Sequence, residues 1–276
     1  MKISLIISVY KNTEALRVVL DALAYQTFTD FEIIISEDGC DQDMANFVAS
    51  YETLQPLTHC TQEDEGWRKN KALNNAIRVS RGNYLVFIDG DCVLHHRFME
   101  EHKRLADPKG FVAGKRVKLG PQFSEQYLKR KDFLVLENEV ATHFNKLRAD
   151  GAEFIEEGIY IAPNSALSFL SRLRPMKHLK GCNMSFYKSA VEAINGFDED
   201  YQQPAVGEDA DLQWRFEQAG YKLISARNLA VQYHLHHAEN WADQTAGLLM
   251  MQEKIKHNQF ICLNGLQKMN RLMSAI

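Results

Sequence analysis

Cysteine, positive charge and long apolar runs are all scarce in this chain of 276 residues. Its five cysteines are scattered without a CxxC pair, which favours reduced thiols over a disulfide framework. A net charge of −4 gives no reason to expect a nucleic-acid partner. No window reaches about 18 consecutive apolar residues, so no transmembrane helix is expected. The N-terminal run 1–12 is too short and too polar for a signal peptide, and a cytoplasmic location is expected.

What the sequence does contain is a regular alternation of two patterns. Nearly continuous β-branched runs predict strands, and apolar residues at helical spacing predict helices between them. The predicted strands cover 3–10, 31–39 and 83–91, and the predicted helices cover 12–27 and 70–82, the second stopped by Gly82. This order predicts an α/β fold with a mostly parallel sheet flanked by helices.

The second half shows no linker and no internal repeat, so it is expected to elaborate the same domain. A helix is predicted over 207–220, and one or two strands over 221–237. The remaining residues, 238–276, are expected to form a helical extension.

The stretch YLVFIDGD ends an apolar strand with two aspartates, Asp89 and Asp91. Carboxylates are natural ligands of Mg²⁺ and Mn²⁺, and ligands of parallel sheets lie beyond the carboxyl ends of the strands. Asp-Gly is also a common turn sequence. The two aspartates therefore either serve a metal and a diphosphate or form an ordinary turn at the end of a strand.

Two other polar features are predicted to lie near the same edge. Asp38 follows an earlier strand, where a carboxylate can accept hydrogen bonds from a base or ribose, or belong to a capped turn. Arg68, Lys69 and Lys71 begin a helix, although the helix dipole favours anions there. These cations indicate a nearby diphosphate or, equally, a solvated basic face.

Glu208 and Asp209 follow a glycine at the start of the predicted helix 207–220. Acidic residues at a helix start are ordinary capping groups. A carboxylate held there could instead act as a general base that takes the proton of a sugar hydroxyl.

Three histidines, His234, His236 and His237, end the segment 221–237. On a continuing strand, His234 and His236 would share one face and His237 would take the other. Neutral imidazole is a good metal ligand, so one of the three is expected to contact a metal, with exposed surface histidines as the alternative.

Four motifs in this order resemble the family 2 glycosyltransferases. The opening ISLIISVYKNTEALRVVLDALAYQTFTDFEIIISEDG and the stretch GNYLVFIDGDC are similar to the nucleotide-sugar-binding part of their GT-A fold. KGCNMSFYKSAVEAINGFDEDY and GEDADLQWRF are similar to the C-terminal segment of chondroitin-polymerase-type and galactosyltransferase-type enzymes. The resemblance covers roughly 1–105 and 180–237. SEDG replaces the DDGS of many members, and the QxxRW motif of processive members is absent.

The resemblance implies a site for a nucleotide-sugar donor. Asp38 would contact the nucleobase, and Asp89 would meet the ribose or the metal region. Asp91 would ligate a divalent metal, Mn²⁺ or Mg²⁺, with His234 or His237 completing the site. The GT-A domain would span 1–237, with a nucleotide-sugar half at 1–105 and an acceptor half at 106–237.

The same resemblance implies an inverting transferase that moves a sugar, hexosyl or N-acetylhexosaminyl, from a UDP-sugar to a glycan or lipid-linked glycan. Asp209 would be the general base and Glu208 would touch the acceptor. Arg68 and Lys71 would add positive charge near the donor diphosphate. A polysaccharide of the cell envelope would be the product. A nucleotidyltransferase on a similar sheet, or a non-catalytic nucleotide-sugar-binding protein, is the alternative.

The basic run 171–180 interleaves cations with apolar residues. Such a pattern predicts either peripheral contact with an anionic membrane, at the inner face of the plasma membrane, or a solvated charged helix or loop.

Overall fold

Ten strands and eleven α-helices make up the regular structure of the computed structural model, which describes residues 1–130, 132–238 and 243–269. The strands are β1 (Ile3–Val9), β2 (Phe31–Glu37), β3 (Leu57–Cys60), β4 (Tyr84–Asp89), β5 (Cys92–Leu94), β6 (Gly110–Ala113), β7 (Val117–Lys118), β8 (Asn183–Tyr187), β9 (Lys222–Ser225) and β10 (Gln232–His234). The helices are α1 (Thr13–Leu23), α2 (Gln42–Ser50), α3 (Lys69–Val79), α4 (Phe98–Leu105), α5 (Pro121–Lys129), α6 (Phe133–Thr142), α7 (Phe144–Ala149), α8 (Phe169–Leu173), α9 (Lys188–Ala193), α10 (Leu212–Gln218) and α11 (Thr245–Lys256). A 3₁₀ turn covers Ile155–Gly158, and a π-helix covers Val206–Asp211.

Two sheets organise these elements. The larger has the strand order β3-β2-β1-β4-β8-β6-β9, in which β8 alone runs antiparallel to its neighbours. The smaller has the order β5-β10-β7, with β10 antiparallel to β5 and parallel to β7. The predicted α/β fold with a mostly parallel sheet flanked by helices is therefore confirmed. The division of the chain at 105 and 237 stays a prediction.

The core lies on both faces of the larger sheet. Leu5 and Ile7 of β1 face the cluster that contains α1, whereas Ile6 faces the cluster that contains Leu73 and Ile77 of α3. Successive residues of a strand point to opposite faces, so a strand covered on both sides must be apolar almost throughout. That requirement is the physical reason for the β-branched runs in the sequence.

The predicted stop of α3 at Gly82 is wrong. The helix ends at Val79, because Ser80 already has extended backbone dihedrals. Gly82 serves a close approach to β1 instead, since a Cβ there would lie 2.5 Å from Ser4 Oγ.

The predicted helical extension 238–276 is only partly correct. Within its described part, 243–269, α11 is the one helix, and residues 257–269 follow an irregular path. Asn195 holds this path, because its side-chain amide donates to Cys262 O and Gln267 O at 2.8 Å each. The rest of the extension, 239–242 and 270–276, lies outside the described residues. Among the described helices, none combines the length and the apolar character that crossing a bilayer requires.

Candidate active site

The turn between β4 and β5 brings both aspartates of the DGD motif to the carboxyl edge of the larger sheet. Asp89 pairs with Ser8 of β1, and Gly90 N donates to Ser8 O at 2.8 Å. A Cβ on Gly90 would lie 2.6 Å from Val9 Cγ1, so only glycine fits between the two aspartates. This close approach explains the residue at the centre of the motif.

Two of the three histidines meet Asp91. His234 Nε2 lies 3.5 Å and His237 Nε2 3.2 Å from Asp91 Oδ2, and the two imidazole nitrogens are 3.2 Å apart. The predicted strand alternation is wrong here, because β10 ends at His234 and residues 235–238 do not continue the strand. His236 N donates to Ser124 Oγ at 2.7 Å, and His237 rather than His236 returns to Asp91.

The ligand atoms that this cluster offers suit a divalent metal ion. One carboxylate and two imidazoles offer three ligand atoms within 4.8 Å of one another, a set that suits Mn²⁺ and related ions. Burial raises the pKa of Asp91, but the hydrogen bonds of His234 and His237 outweigh it and hold that pKa well below its usual value. The Asp91 carboxylate raises the pKa of His237 to about 9. The cluster therefore favours positive charge.

Asp89 is held by two cations, Lys69, which the sequence analysis named but gave no role in the site, and Arg116, which it did not name. Lys69 Nζ lies 2.9 Å from Asp89 Oδ1, and Arg116 Nη1 lies 3.2 Å from Oδ2. Lys69 Nζ is also 3.5 Å from Glu208 Oε1, so it links the DGD turn to the GED motif. Burial lowers the pKa of Lys69, but the Asp89 and Glu208 carboxylates outweigh it and raise the pKa above its usual value.

The other donor-side residues lie close by but point elsewhere. Asp38 accepts hydrogen bonds from Gln62 Nε2 at 2.8 Å and from Arg68 N at 2.7 Å, so it ties the start of α3 to the end of β2. The Arg68 guanidinium donates to its neighbour Trp67 O. Lys71 lies 3.6 Å from Glu65 at the surface. The nucleotide-binding roles of Asp38, Arg68 and Lys71 stay predictions.

The GED motif lies in the π-helix that leads into α10, where the prediction placed ordinary helix. Asp209 Oδ1 accepts the backbone N–H of Gly181 at 2.6 Å, and Lys180 Nζ lies 3.5 Å from Oδ2. Glu208 Oε2 is buried without a hydrogen-bond partner among the described residues. Burial raises the pKa of Asp209 and brings that of Glu208 to about 7.

A buried ion pair fixes the end of the π-helix. The fully buried Arg215 donates from Nε to Asp211 Oδ2 at 2.8 Å, and its other nitrogens donate to Ile194 O and Gly196 O. Tyr201 donates its hydroxyl to the second oxygen of Asp211 at 3.0 Å. Every polar group of this pair thus has a partner, as a buried charge requires. The pair holds the turn that carries Glu208 and Asp209.

Most of the chain is similar in sequence to known proteins. Residues 4–170 match the model of glycosyl transferase family 2, and residues 163–239 match the N-terminal domain of galactosyltransferase. Chondroitin synthase of Escherichia coli is 23% identical over 92% of this chain, and hyaluronan synthase of Pasteurella multocida is 25% identical over 92%. The chain spans only 38% and 27% of the lengths of these two proteins.

A solved structure agrees with the fold. A mannosyltransferase from Pyrobaculum calidifontis, in complex with GDP-Man and Mn²⁺, superimposes with a TM-score of 0.56 at 18% identity. The match covers 87% of this chain and 58% of that one. With the GT-A fold in place and the family model matched over more than half of its length, the chain belongs to glycosyltransferase family 2.

Proposed function

We propose that this glycosyltransferase is a metal-dependent, inverting enzyme that moves a sugar from a nucleotide sugar to a hydroxyl of a glycan or lipid-linked glycan. One observation carries the proposal. The DGD turn faces the paired histidines through Asp91 and, through Asp89 and Lys69, the GED motif. A cation-binding end and a carboxylate end therefore lie within one continuous set of contacts, as transfer from a diphosphate to a hydroxyl requires.

The cation-binding end would hold the donor. Asp91, His234 and His237 would ligate Mn²⁺ or Mg²⁺, which when bound supplies positive charge to a donor diphosphate. Lys69 and Arg116 add two positive side chains beside the same turn. The complex of the mannosyltransferase with GDP-Man and Mn²⁺ supports a nucleotide sugar and a divalent ion here. A UDP-sugar is the donor we expect.

The carboxylate end would hold the acceptor. Gly181 N–H fixes Asp209 Oδ1, and the half-exposed side chain of Lys180 can move away from Oδ2. Asp209 then takes the proton of the acceptor hydroxyl as its oxygen attacks the anomeric carbon. Burial raises the pKa of Asp209, which makes it a stronger base than an exposed carboxylate. This direct displacement breaks the bond between the anomeric carbon and the donor diphosphate oxygen, so nucleoside diphosphate leaves and the configuration is inverted.

Glu208 is suited to bind the acceptor. An unpartnered buried carboxylate oxygen is costly, and a hydroxyl of the incoming sugar would satisfy Oε2. The names of the two relatives, a chondroitin synthase and a hyaluronan synthase, support a hexosyl or N-acetylhexosaminyl transfer in polysaccharide synthesis.

Calorimetric titration of UDP, GDP, CDP and dTDP, each with Mn²⁺ and with EDTA, tests the proposal. We expect one nucleotide to bind with Mn²⁺ and not with EDTA. Asp91→Ala should lose this binding, whereas Asp43→Ala, at an exposed aspartate of α2, should retain it. Absence of binding by all four nucleotides, or binding that Asp91→Ala leaves unchanged, would contradict the proposed function.

A further inference from the structure

The segment 159–175 crosses the surface without burying a single residue. Its ends are anchored, because Ile155 is buried before it and Met176 and Leu179 are buried after it. Met176 N donates to Ser225 Oγ at 2.9 Å, which ties the far end to the larger sheet. The segment is therefore an exposed stretch of chain held at both ends.

This exposed segment presents a cluster of apolar side chains to solvent. Leu167 is 57%, Phe169 52% and Leu173 69% exposed, and Leu170 is exposed as well. Leu173 neighbours both Phe169 and Leu170 on the surface of α8, since residues three and four apart lie on the same side of a helix. No residue of α8 is buried. An exposed apolar patch of this kind indicates a surface that contacts a membrane or another molecule.

The charges within the stretch of sequence that carries the patch have one sign. Between Glu157 and Glu192 the sequence contains no acidic residue and five cations, although the whole chain carries a net charge of −4. Arg174 pairs with Glu156 at 3.1 Å. Arg172 and Lys177 form no ion pair within the described part of the chain. The partner is therefore expected to be anionic.

We propose that α8 and its flanking residues, 167–177, are a docking surface for a lipid bilayer with anionic headgroups. Phe169, Leu170 and Leu173 would enter the boundary between headgroups and acyl chains, and Arg172 and Lys177 would contact the headgroups. The mixture of apolar and charged side chains favours a bilayer over a protein partner, because the cores of protein interfaces are depleted of charge. A bilayer lets the cations remain solvated while the apolar face is buried.

The position of the surface gives it a role in the reaction. Lys180 and Gly181, which contact Asp209, follow the docking segment 167–177 within four residues. Docking would therefore place the general base near the membrane surface and select acceptors that are carried on lipids. This role rests on the proposed function, whereas the docking itself does not.

Co-sedimentation with vesicles tests the docking surface. Vesicles of phosphatidylcholine mixed with phosphatidylglycerol should pellet the wild-type protein, and vesicles of phosphatidylcholine alone should pellet much less. The double variant Phe169→Asp, Leu173→Asp should lower the partition coefficient about tenfold or more. The double variant Arg172→Ala, Lys177→Ala should lower the partition coefficient by a similar factor at low salt. Leu54→Asp, at a side chain that is 96% exposed between α2 and β3, is the matched control and should bind like wild type.

Each remaining outcome overturns the proposal. The proposal fails if wild-type protein stays in the supernatant or binds both vesicle types equally. It also fails if the Phe169 and Leu173 double variant binds like wild type. Self-association that the same double variant abolishes, without vesicle binding, would identify a protein interface instead. Calorimetric nucleotide binding with Mn²⁺ should be unchanged in all these variants, so failure of the docking surface is distinguishable from failure of the proposed function.

Discussion

Replacing Asp209 by asparagine should slow sugar transfer by orders of magnitude while it preserves the fold and the donor site. The asparagine oxygen can still accept the N–H of Gly181, which lies 2.6 Å from Asp209 Oδ1. The amide group that replaces Oδ2 would face Lys180 Nζ, 3.5 Å away, on a half-exposed side chain that can turn to solvent. We therefore expect the free energy of unfolding to change by less than about 1 kcal/mol.

The rate should change far more. A general base contributes about 10²–10⁴-fold, so Asp209→Asn should lower kcat by that factor, or about 3–5 kcal/mol of transition-state stabilisation. Nucleotide affinity in the presence of Mn²⁺ should stay the same, because Asp91 and its two histidines are untouched. Release of nucleoside diphosphate at saturating donor and acceptor measures kcat, and calorimetry measures the affinity.

Glu208→Gln is the comparison that can refute this assignment. Burial raises the pKa of Glu208 to about 7, and its free Oε2 makes it the competing candidate for the base. The glutamine oxygen can still face Lys69, so this variant should mainly raise the acceptor KM, with kcat within about tenfold of wild type. If Glu208→Gln abolishes transfer and Asp209→Asn keeps the wild-type rate, the two roles are reversed and the reasoning fails.

Three further perturbations test the metal site, the buried histidine and the extension. His237→Ala should abolish Mn²⁺-dependent nucleotide binding and His236→Ala should retain it, since of these two histidines only His237 lies beside the Asp91 carboxylate. Calorimetry measures both, and equal loss would contradict this expectation. Burial lowers the pKa of His102 to about 3, so the unfolded chain binds the extra proton and stability falls as pH drops below about 6.5. His102→Gln should flatten this decline by up to about 1.4 kcal/mol per pH unit in urea titrations, and an unchanged slope would refute the assignment. Lys254→Met should lower the free energy of unfolding by about 3–5 kcal/mol, because it leaves the buried Asp198 unpaired. The control Lys256→Met, at an exposed lysine, should change it little. Equal effects of the two variants in urea denaturation would contradict a stabilising ion pair.

The first strands and the DGD turn were predictable because their signals are local. A strand buried on both faces must be apolar almost throughout, and the central residues of β1, β2 and β4 satisfy this without reference to the rest of the chain. The edge to which their polar ends point then follows from the parallel order. The order β4-β8-β6 was not predictable, because the reversal of β8 depends on the path of residues 95–182.

The sequence contains a signal that distinguishes Lys69 from Lys71 as the cation of α3 that faces the site. Lys69 lies four and seven residues before Leu73 and Ala76, so it continues the buried stripe of the helix towards the site. Lys71 lies two residues further on, about 200° around the axis, and faces Glu65 at the surface. Helical phase therefore favours Lys69 from the sequence alone. Arg116 carries no comparable signal, because it lies on an irregular segment between β6 and β7.

The histidines show what no local pattern can supply. Strand alternation joined His234 with His236, but the site joins His234 with His237 because β10 ends at His234. That end is set by the antiparallel pairing of β10 with β5, in which His234 lies opposite Cys92, directly after Asp91. A shift of one residue would turn His234 to the opposite face of the small sheet. The cluster of Asp91, His234 and His237 therefore depends on the register between two three-residue strands, and the contrast between His237→Ala and His236→Ala tests whether that cluster binds the metal.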